Sequence, residues 1–460
     1  MSLIKSISGI RGTIGGKTSK NLTPLDTVLF TSAYACWLKK NQNAKHYKVV
    51  VGRDARISGS MVQGLVNQTL VGYGIEVLDL GLSTTPTVEV AVTHHQAQGG
   101  IIITASHNPK QWNALKLLNQ RGEFLNAASG KVILEIAEKQ EFEFATIDHL
   151  GKVTSVTGAI EEHVQKVIDL PLVDKEGIKK NKFKVVVDAV NSTGGIAIPL
   201  LLDALGVSTV PIYCDPTGHF PHNPEPLKEH LEVLCKKVVA EKADFGIVVD
   251  PDVDRLAFVD ENGAVFGEEY TLVACSDYVL SKTPGVSVSN LSSTRVLADI
   301  THKRGGTYHA SAVGEVNVVE KMKEVDAVIG GEGNGGVIYP ELHYGRDALV
   351  GVALFLSFLT EKKQKVSSLR ASYPSYSMSK AKVSLSKGMD VDRILKKIEK
   401  KYSQKNPSTI DGVKITFEST WVHLRKSNTE PIIRVYTEAK SGKEADELAQ
   451  SFIEEIKELI

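Results

Sequence analysis

The 460-residue sequence predicts an α/β protein of several domains, and two observations carry that expectation. An apolar, β-branched run breaks into a polar turn, then a helical stretch and a second apolar run, and the same succession returns further along the chain. Strands alternating with helices in this way argue for parallel sheets covered by helices. After residue 359 the composition changes, and a last segment with its own alternating strands and helices follows.

Taken in order, Lys48-Val-Val-Val opens a strand, "GRDARISGS" is a polar turn, "MVQGLVNQTLVGYG" is helical and "IEVLDLG" is the next strand. Residues 184–195, "KVVVDAVNSTGG", lead likewise into the helix "IAIPLLLDALG" and the strand "VSTVPIY". A third unit follows "DFGIVVDPDVDRLAFVDENG", through the helix "EEYTLVACSDYVLSK" and the strand "VSVSNL", to "DAVIGGEGNGG". The Lys/Ser-rich stretch 359–388 reads as a connection into the last domain. That domain holds the helix "VDRILKKIEKKYSQ", strands around "VKITFESTWVHLRKSNTEPIIRVYTEAK", and a closing helix with Leu448, Phe452, Ile456 and Leu459 on one face. Boundaries are expected near 150, 255 and 366, giving segments 1–150, 151–255, 256–366 and 367–460.

With 54 basic and 54 acidic side chains the chain has no net charge, so it offers no electrostatic case for nucleic acid or an anionic membrane. No apolar run approaches the roughly 18 residues of a spanning helix, and "MSLIKSISGIRG" lacks the centre and cleavage site of a signal peptide. A cytoplasmic protein is expected. Cys36, Cys214, Cys235 and Cys275 have no CxxC or metal-ligand spacing and are expected to be reduced packing residues.

Four polar loops interrupt apolar strands. "TASHNP", residues 104–109, presents Ser106 at the end of "GGIII", where open α/β sheets bind ligands. With no GxSxG elbow in the chain, the choice lies between a covalent carrier and a turn in which Ser106 and Asn108 cap backbone groups. "DPDVDR", residues 250–255, sets three carboxylates at alternate positions, a crowd that favours a hard cation such as Mg²⁺. An EF-hand fails here, because Arg255 stands at the glycine position and strands flank the loop. An aspartyl phosphatase with Asp250 as nucleophile remains a rival. "GGEGNGG", residues 330–336, lets backbone approach a ligand while Glu332 and Asn334 meet hydroxyls, unless it is a plain flexible turn. "RKSNTEP", residues 425–431, with Arg434, offers the forked donors and hydroxyls that suit a phosphate dianion; a polar hairpin is the alternative. "GTIGGKT" at 12–18 has one residue too few between its outer glycines for a phosphate-binding P-loop.

In this order the four loops resemble the α-D-phosphohexomutase superfamily over essentially the whole chain. The resemblance implies three topologically similar α/β domains and a C-terminal α+β domain like the TATA-box-binding protein, around a central cleft. It also implies that Ser106 stores a phosphoryl group and that Asp250, Asp252 and Asp254, with a phosphate oxygen on Ser106, hold one Mg²⁺. A hexose 6-phosphate and its 1-phosphate would interconvert through a 1,6-bisphosphate, with glucose or glucosamine 1,6-bisphosphate as activator. Arg11 matches an arginine beside the phosphoserine, His107 a supporting histidine, and Lys116 a general base or charge stabiliser. Arg255, Glu332, Asn334, Arg425, Ser427, Asn428, Thr429 and Arg434 would bind substrate. Many bacterial members read GEMSGH where this chain has "GEGNGG", so Asn334 replaces a serine and Gly336 a proposed acid/base histidine. The Glu-x-Asn form resembles phosphoglucosamine mutases and some phosphomannomutase/phosphoglucomutases; the amino sugar is favoured because Glu332 can face a 2-ammonium. A monomer or homodimer, with a small sugar phosphate as partner, is expected.

Overall fold

The computed structural model describes all residues except 1, 7, 8, 387, 388, 428–431 and 460. Its first sheet has seven strands, and four of them carry the order Glu76–Leu82, Lys48–Arg53, Gly99–Ile103, Trp112–Leu118. A second sheet runs Ser208–Ile212, Lys184–Asp188, Phe245–Val249, Leu256–Asp260, and a third Thr307–Ser311, Val286–Asn290, Ile329–Glu332, Gly336–Ile338. Each is the same unit: three parallel strands and a fourth antiparallel to the third. The sheets are therefore mixed rather than purely parallel. A parallel neighbour needs a crossover of roughly a dozen residues. The links at 104–111, 250–255 and 333–335 are too short and must turn straight back.

The turn after the third strand carries one of the polar loops in every unit: "TASHNP" in the first, "DPDVDR" in the second, "GEGNGG" in the third. Gly99–Ile103 and Phe245–Val249 are buried at every position, as strands covered on both faces should be, which explains their unbroken apolar runs.

The expected break at 255 falls inside the second sheet, between the paired strands Phe245–Val249 and Leu256–Asp260. Likewise Val153–Ser155 adds to the edge of the first sheet, past position 150. The Lys/Ser-rich stretch is not a simple connection. It contains the helix Val366–Ala371, packed into the core shared by the second and third sheets, and Ser377–Ser384, an edge strand of the last sheet. Its lysines and serines suit an edge, which keeps charge to blunt stray pairing.

The second and third sheets share one apolar core, closed by the helix Ala348–Lys362 and by the stacked rings of Phe258 and Phe355, 3.8 Å apart. The C-terminal domain is a four-stranded antiparallel sheet with the helices Val391–Lys401 and Gly442–Glu458. Along Trp421–Lys426 the alternation divides the labour: Val422 and Leu424 join the core with the helices, while His423 meets Ser292 of the third unit at 2.9 Å. Phe452 and Ile456 are buried in that core, and Leu448 and Leu459 pack against it. All four cysteines are free, Cys275 buried and the others half-buried. Among the described residues no helix is long and apolar enough to cross a membrane.

Candidate active site

Ser106 stands at the turn of the first hairpin with φ 48°, a left-handed conformation that aims its side chain at the neighbouring unit. Its Oγ donates to Asp250 Oδ2 at 2.6 Å, and its backbone N–H donates to Thr104 Oγ1 at 2.9 Å. His107 Nδ1 lies 3.4 Å from the same Oγ, and burial followed by the charge of Arg255 pushes this imidazole down to about 2, so it is neutral.

The turn is held by Arg56, a residue that the sequence reading had assigned only to a polar turn. Its guanidinium, 1% exposed, donates to the carbonyls of Ser106, Asn108, Pro109 and Trp112, and its Nε pairs with Asp54 Oδ2 at 3.0 Å. Asp54 also accepts from Thr104 Oγ1 at 2.7 Å, so one buried ion pair fixes both ends of the serine loop.

In the second unit, Val253 has φ 64°, a costly conformation for a β-branched residue. The turn is secured by Ser192 and Thr193, whose hydroxyls donate to the Pro251 carbonyl at 2.7 and 2.9 Å. Asp250, Asp252 and Asp254 are fully buried there, and one oxygen of each lies within 4.8 Å of the others. Burial, then Asp252 and Asp254, raise the Asp250 carboxyl well above its ordinary range. For Asp252 burial is outweighed by Lys116, whose Nζ is 2.7 Å away, and its carboxyl is lowered. Lys116 is held charged in turn, because Asp252 and Asp254 overcome the cost of burying it. Asp252 Oδ1 and Asp254 Oδ1 are buried without a hydrogen-bond partner. Three hard oxygen ligands at this spacing, two with orphaned atoms, fit Mg²⁺.

Thr85 Oγ1, at the start of the helix Thr85–His94, donates to Asp252 Oδ2 at 2.6 Å, and Arg346 donates to Asp254 Oδ2 at 2.7 Å. Neither residue was singled out in the sequence. Arg346 also pairs with Glu315 at 3.1 Å and with Glu332 at 3.0 Å, tying the loops "DPDVDR" and "GEGNGG" together. Glu332 further accepts from Asn290 Nδ2 at 2.9 Å and from the Gly314 N–H at 3.2 Å. Asn334 turns its Oδ1 back onto the Gly336 N–H, 3.2 Å away. A Cβ at Gly336 would collide with Arg346 Cδ, so the arginine fills the space a side chain at position 336 would need.

Across the cleft, Arg425 and Arg434 are partners on adjacent strands of the C-terminal sheet, a like-charge pairing that is unfavourable without an anion. Arg425 is balanced by Asp411, 2.7 Å away, while among the described residues Arg434 donates to a hydroxyl, Tyr436 Oη, at 3.2 Å. Burial and then Arg434 lower the pKa of Arg11, whose Nε is buried and unpaired. Two guanidiniums that disfavour each other on facing walls make an anion site. Ser427 is buried beside them, and Asn428 and Thr429 lie outside the described residues.

The cleft between these walls measures about 820 Å³ and is lined from the first unit by Arg11, Ser106, His107 and Lys116. Arg255, Glu332 and Asn334 line it from the second and third units, and Arg425, Ser427 and Arg434 from the C-terminal domain. Serine, acidic triad, the loop "GEGNGG" and arginine pair, one from each unit, are the groups that an enzyme moving a phosphoryl group on a sugar phosphate would need.

Models of phosphoglucomutase/phosphomannomutase α/β/α domains I, II and III match residues 3–144, 161–263 and 267–376, and that of the C-terminal domain matches 379–455. The chain is 34% identical over 455 residues to a phosphoglucomutase/phosphomannomutase of Thermococcus kodakarensis, covering 98% of each. It is 32% identical to a phosphoglucosamine/phosphogalactosamine mutase of Sulfurisphaera tokodaii, over 100% of this chain and 99% of that one. The crystal structure of a phosphoglucomutase/phosphomannomutase family protein from Burkholderia thailandensis superposes with a TM-score of 0.85 at 25% identity, covering 99% of this chain and 98% of the other. The chain belongs to the phosphoglucomutase/phosphomannomutase family, within the α-D-phosphohexomutase superfamily.

Proposed function

We propose that the protein interconverts hexose 6-phosphate and hexose 1-phosphate through phosphorylated Ser106 and a 1,6-bisphosphate, with glucosamine 6-phosphate as the leading substrate. The observation that carries this reading is the 2.6 Å contact between Ser106 Oγ and Asp250, across two units, at the floor of a cleft walled by arginines.

Asp250, Asp252 and Asp254 would hold one Mg²⁺, which supplies neutralisation of the charge on a phosphoryl group in transfer. Lys116, 2.7 Å from Asp252 and 3.4 Å from Asp254, is placed to stabilise that charge or to take the hydroxyl proton. A sugar hydroxyl takes the phosphoryl group from Ser106 and gives up its proton, and Ser106 Oγ regains one. In the second half the bisphosphate has turned over and its other phosphate returns to Ser106, so no phosphate is consumed. Arg11, Arg425, Ser427 and Arg434 hold the phosphate that is not reacting, with Asn428 and Thr429 adjoining them in sequence. Arg255 and Asn334 complete the wall, and His107 supports the serine as a neutral ring. Trace glucose or glucosamine 1,6-bisphosphate primes an unphosphorylated chain. Cytoplasmic sugar phosphates are its partners, taken up by a monomer or homodimer.

The amino-sugar preference draws on relatives. The Sulfurisphaera protein is named for glucosamine and galactosamine phosphates and the Thermococcus protein for glucose and mannose phosphates. Glu332 itself is already balanced by Arg346, so a 2-ammonium would have to share it. A coupled assay with Mg²⁺ and trace 1,6-bisphosphate, comparing glucosamine 6-phosphate, glucose 1-phosphate and mannose 1-phosphate, decides the sugar. Glucosamine 6-phosphate is expected to give the highest kcat/KM; release of inorganic phosphate with no isomer from any of the three would overturn the mutase reading.

Arg434→Met should raise KM for every hexose phosphate by about 10–100-fold with a smaller change in kcat, the loss of one charge-assisted contact worth about 1.5–3 kcal/mol. Steady-state kinetics on two sugars checks it, and a KM unchanged for both removes Arg434 from the phosphate site.

A further inference from the structure

A second cluster of ligating side chains lies outside the cleft, at the seam where the first three units meet. His163 comes from the helix Ala159–Ile168, and His343 and Asp347 come from the segment that precedes the helix Ala348–Lys362. One ligand atom of each lies within 4.8 Å of the others. His163 Nε2 is 3.0 Å and His343 Nε2 is 3.4 Å from the same carboxylate oxygen, Asp347 Oδ2. His163 and Asp347 are wholly buried.

The opposite ring nitrogens are also engaged, and by the first unit. His163 Nδ1 is 2.9 Å from Thr87 Oγ1, and His343 Nδ1 is 3.2 Å from Glu89 Oε2, both partners standing on the helix Thr85–His94. An Nδ1 hydrogen on each ring leaves both Nε2 lone pairs free toward Asp347. A carboxylate or hydroxyl behind each imidazole is the outer layer that orients histidine ligands around a metal. Glu89 is 1% exposed, and although Oε2 lies close to His343, neither of its oxygens makes an aligned hydrogen bond. Asp347 Oδ1 accepts from the Leu349 N–H at 2.8 Å, which leaves Oδ2 as the oxygen facing the rings. Gly345 is needed for this approach, since a Cβ there would overlap Glu89 Oε2.

We infer that His163, His343 and Asp347 form a second metal site, distinct from the acidic triad, that takes Zn²⁺ as a staple joining the first three units. The 3.4 Å separation matches the edge of about 3.3 Å in a tetrahedron of bonds near 2.0–2.1 Å, and the 3.0 Å separation would have to open by about 0.3 Å. Two imidazoles and one carboxylate select zinc over magnesium, whereas the all-oxygen triad selects magnesium. The Asp347 carboxylate faces the ion directly, and Glu89 stands behind His343, 3.2 Å from its Nδ1. The competing occupant is a proton on His343. It would bridge His343 Nε2 and Asp347 Oδ2, 3.4 Å apart, so an ion and a proton contend for one place.

The full-length chain is stripped with a chelator, titrated with Zn²⁺ in the presence of Mg²⁺, and analysed for bound metal. One tightly held zinc per chain is expected, retained in Asp252→Asn, which disables the triad, and lost in both His163→Gln and His343→Gln. Glu89→Gln, which keeps every ligand, should weaken the site about 10–100-fold. Co²⁺ added to the stripped wild-type chain should give the intense visible bands of tetrahedral cobalt, a readout that survives if a histidine variant fails to fold. No retained zinc, equal retention in the histidine variants, or a weak six-coordinate cobalt spectrum overturns the inference and leaves the proton in place.

Discussion

Replacing Ser106 by alanine should abolish interconversion of every hexose phosphate, a loss of about 10³-fold or more, because no other hydroxyl in the loop points at the triad. The variant should still fold. Among the described residues Ser106 Oγ meets Asp250 and, at longer range, His107, and the backbone of the loop is held by Arg56 and Thr104 rather than by that hydroxyl. Serine already holds φ 48° with the same Cβ, so alanine adds little backbone strain. Two measurements check it: turnover with Mg²⁺ and the bisphosphate, and intact mass after incubation with the bisphosphate. Wild type should gain one phosphate and Ser106→Ala none. Isomer formation by the variant above a tenth of the wild-type rate would sink the phosphoserine role.

Arg56→Leu should be the most damaging change away from the reacting atoms. It strips a donor from four carbonyls at once and leaves Asp54 buried beside Thr104 with no cation. Burial already raises the Asp54 carboxyl, and Arg56 is the largest influence opposing that rise. Breaking such a pair costs about 3–5 kcal/mol. A serine loop displaced by about 1 Å should lose a further 10²-fold in kcat. Thermal melting and kcat are the readouts. Arg56→Leu combined with Asp54→Asn, which removes the orphaned charge, should recover part of the stability but little of the rate, since the carbonyl clamp is still missing. A single variant that melts with wild type would show that the clamp does not hold the loop.

The four polar loops were legible in the sequence because each interrupts a strongly apolar strand, and polar residues at a strand end stand out against Ile, Val and Phe. The structure sets Arg11, Ser106, Glu332 and Arg434 around one cleft and buries the aspartates of "DPDVDR" together. Arg56 and Arg346 were not legible. Each reads locally as an ordinary charged residue in a turn, in "GRDARISGS" and "HYGRDALV", and their partners at 106–112 and at Asp254 lie far along the chain. Nothing in local composition reports a contact at that separation. The antiparallel fourth strands were hidden for a related reason. "WNALKLL" is a run short enough to be helix or strand, and only the shortness of the turn before it forces it to fold back. Ser377–Ser384 was missed because an edge strand has little apolar signal to show.

The common core of the second and third sheets also sets how the chain comes apart. The helix Ala348–Lys362 is an inner wall to both, so neither sheet can lose the packing of that shared face while the other keeps it. By architecture the chain has four parts; by cooperativity it has three, with the first unit and the C-terminal domain each holding a core of its own. The loops that carry "DPDVDR" and "GEGNGG" therefore belong to a single folding unit, and partial opening of the molecule that frees the serine or the arginines leaves those two still facing each other.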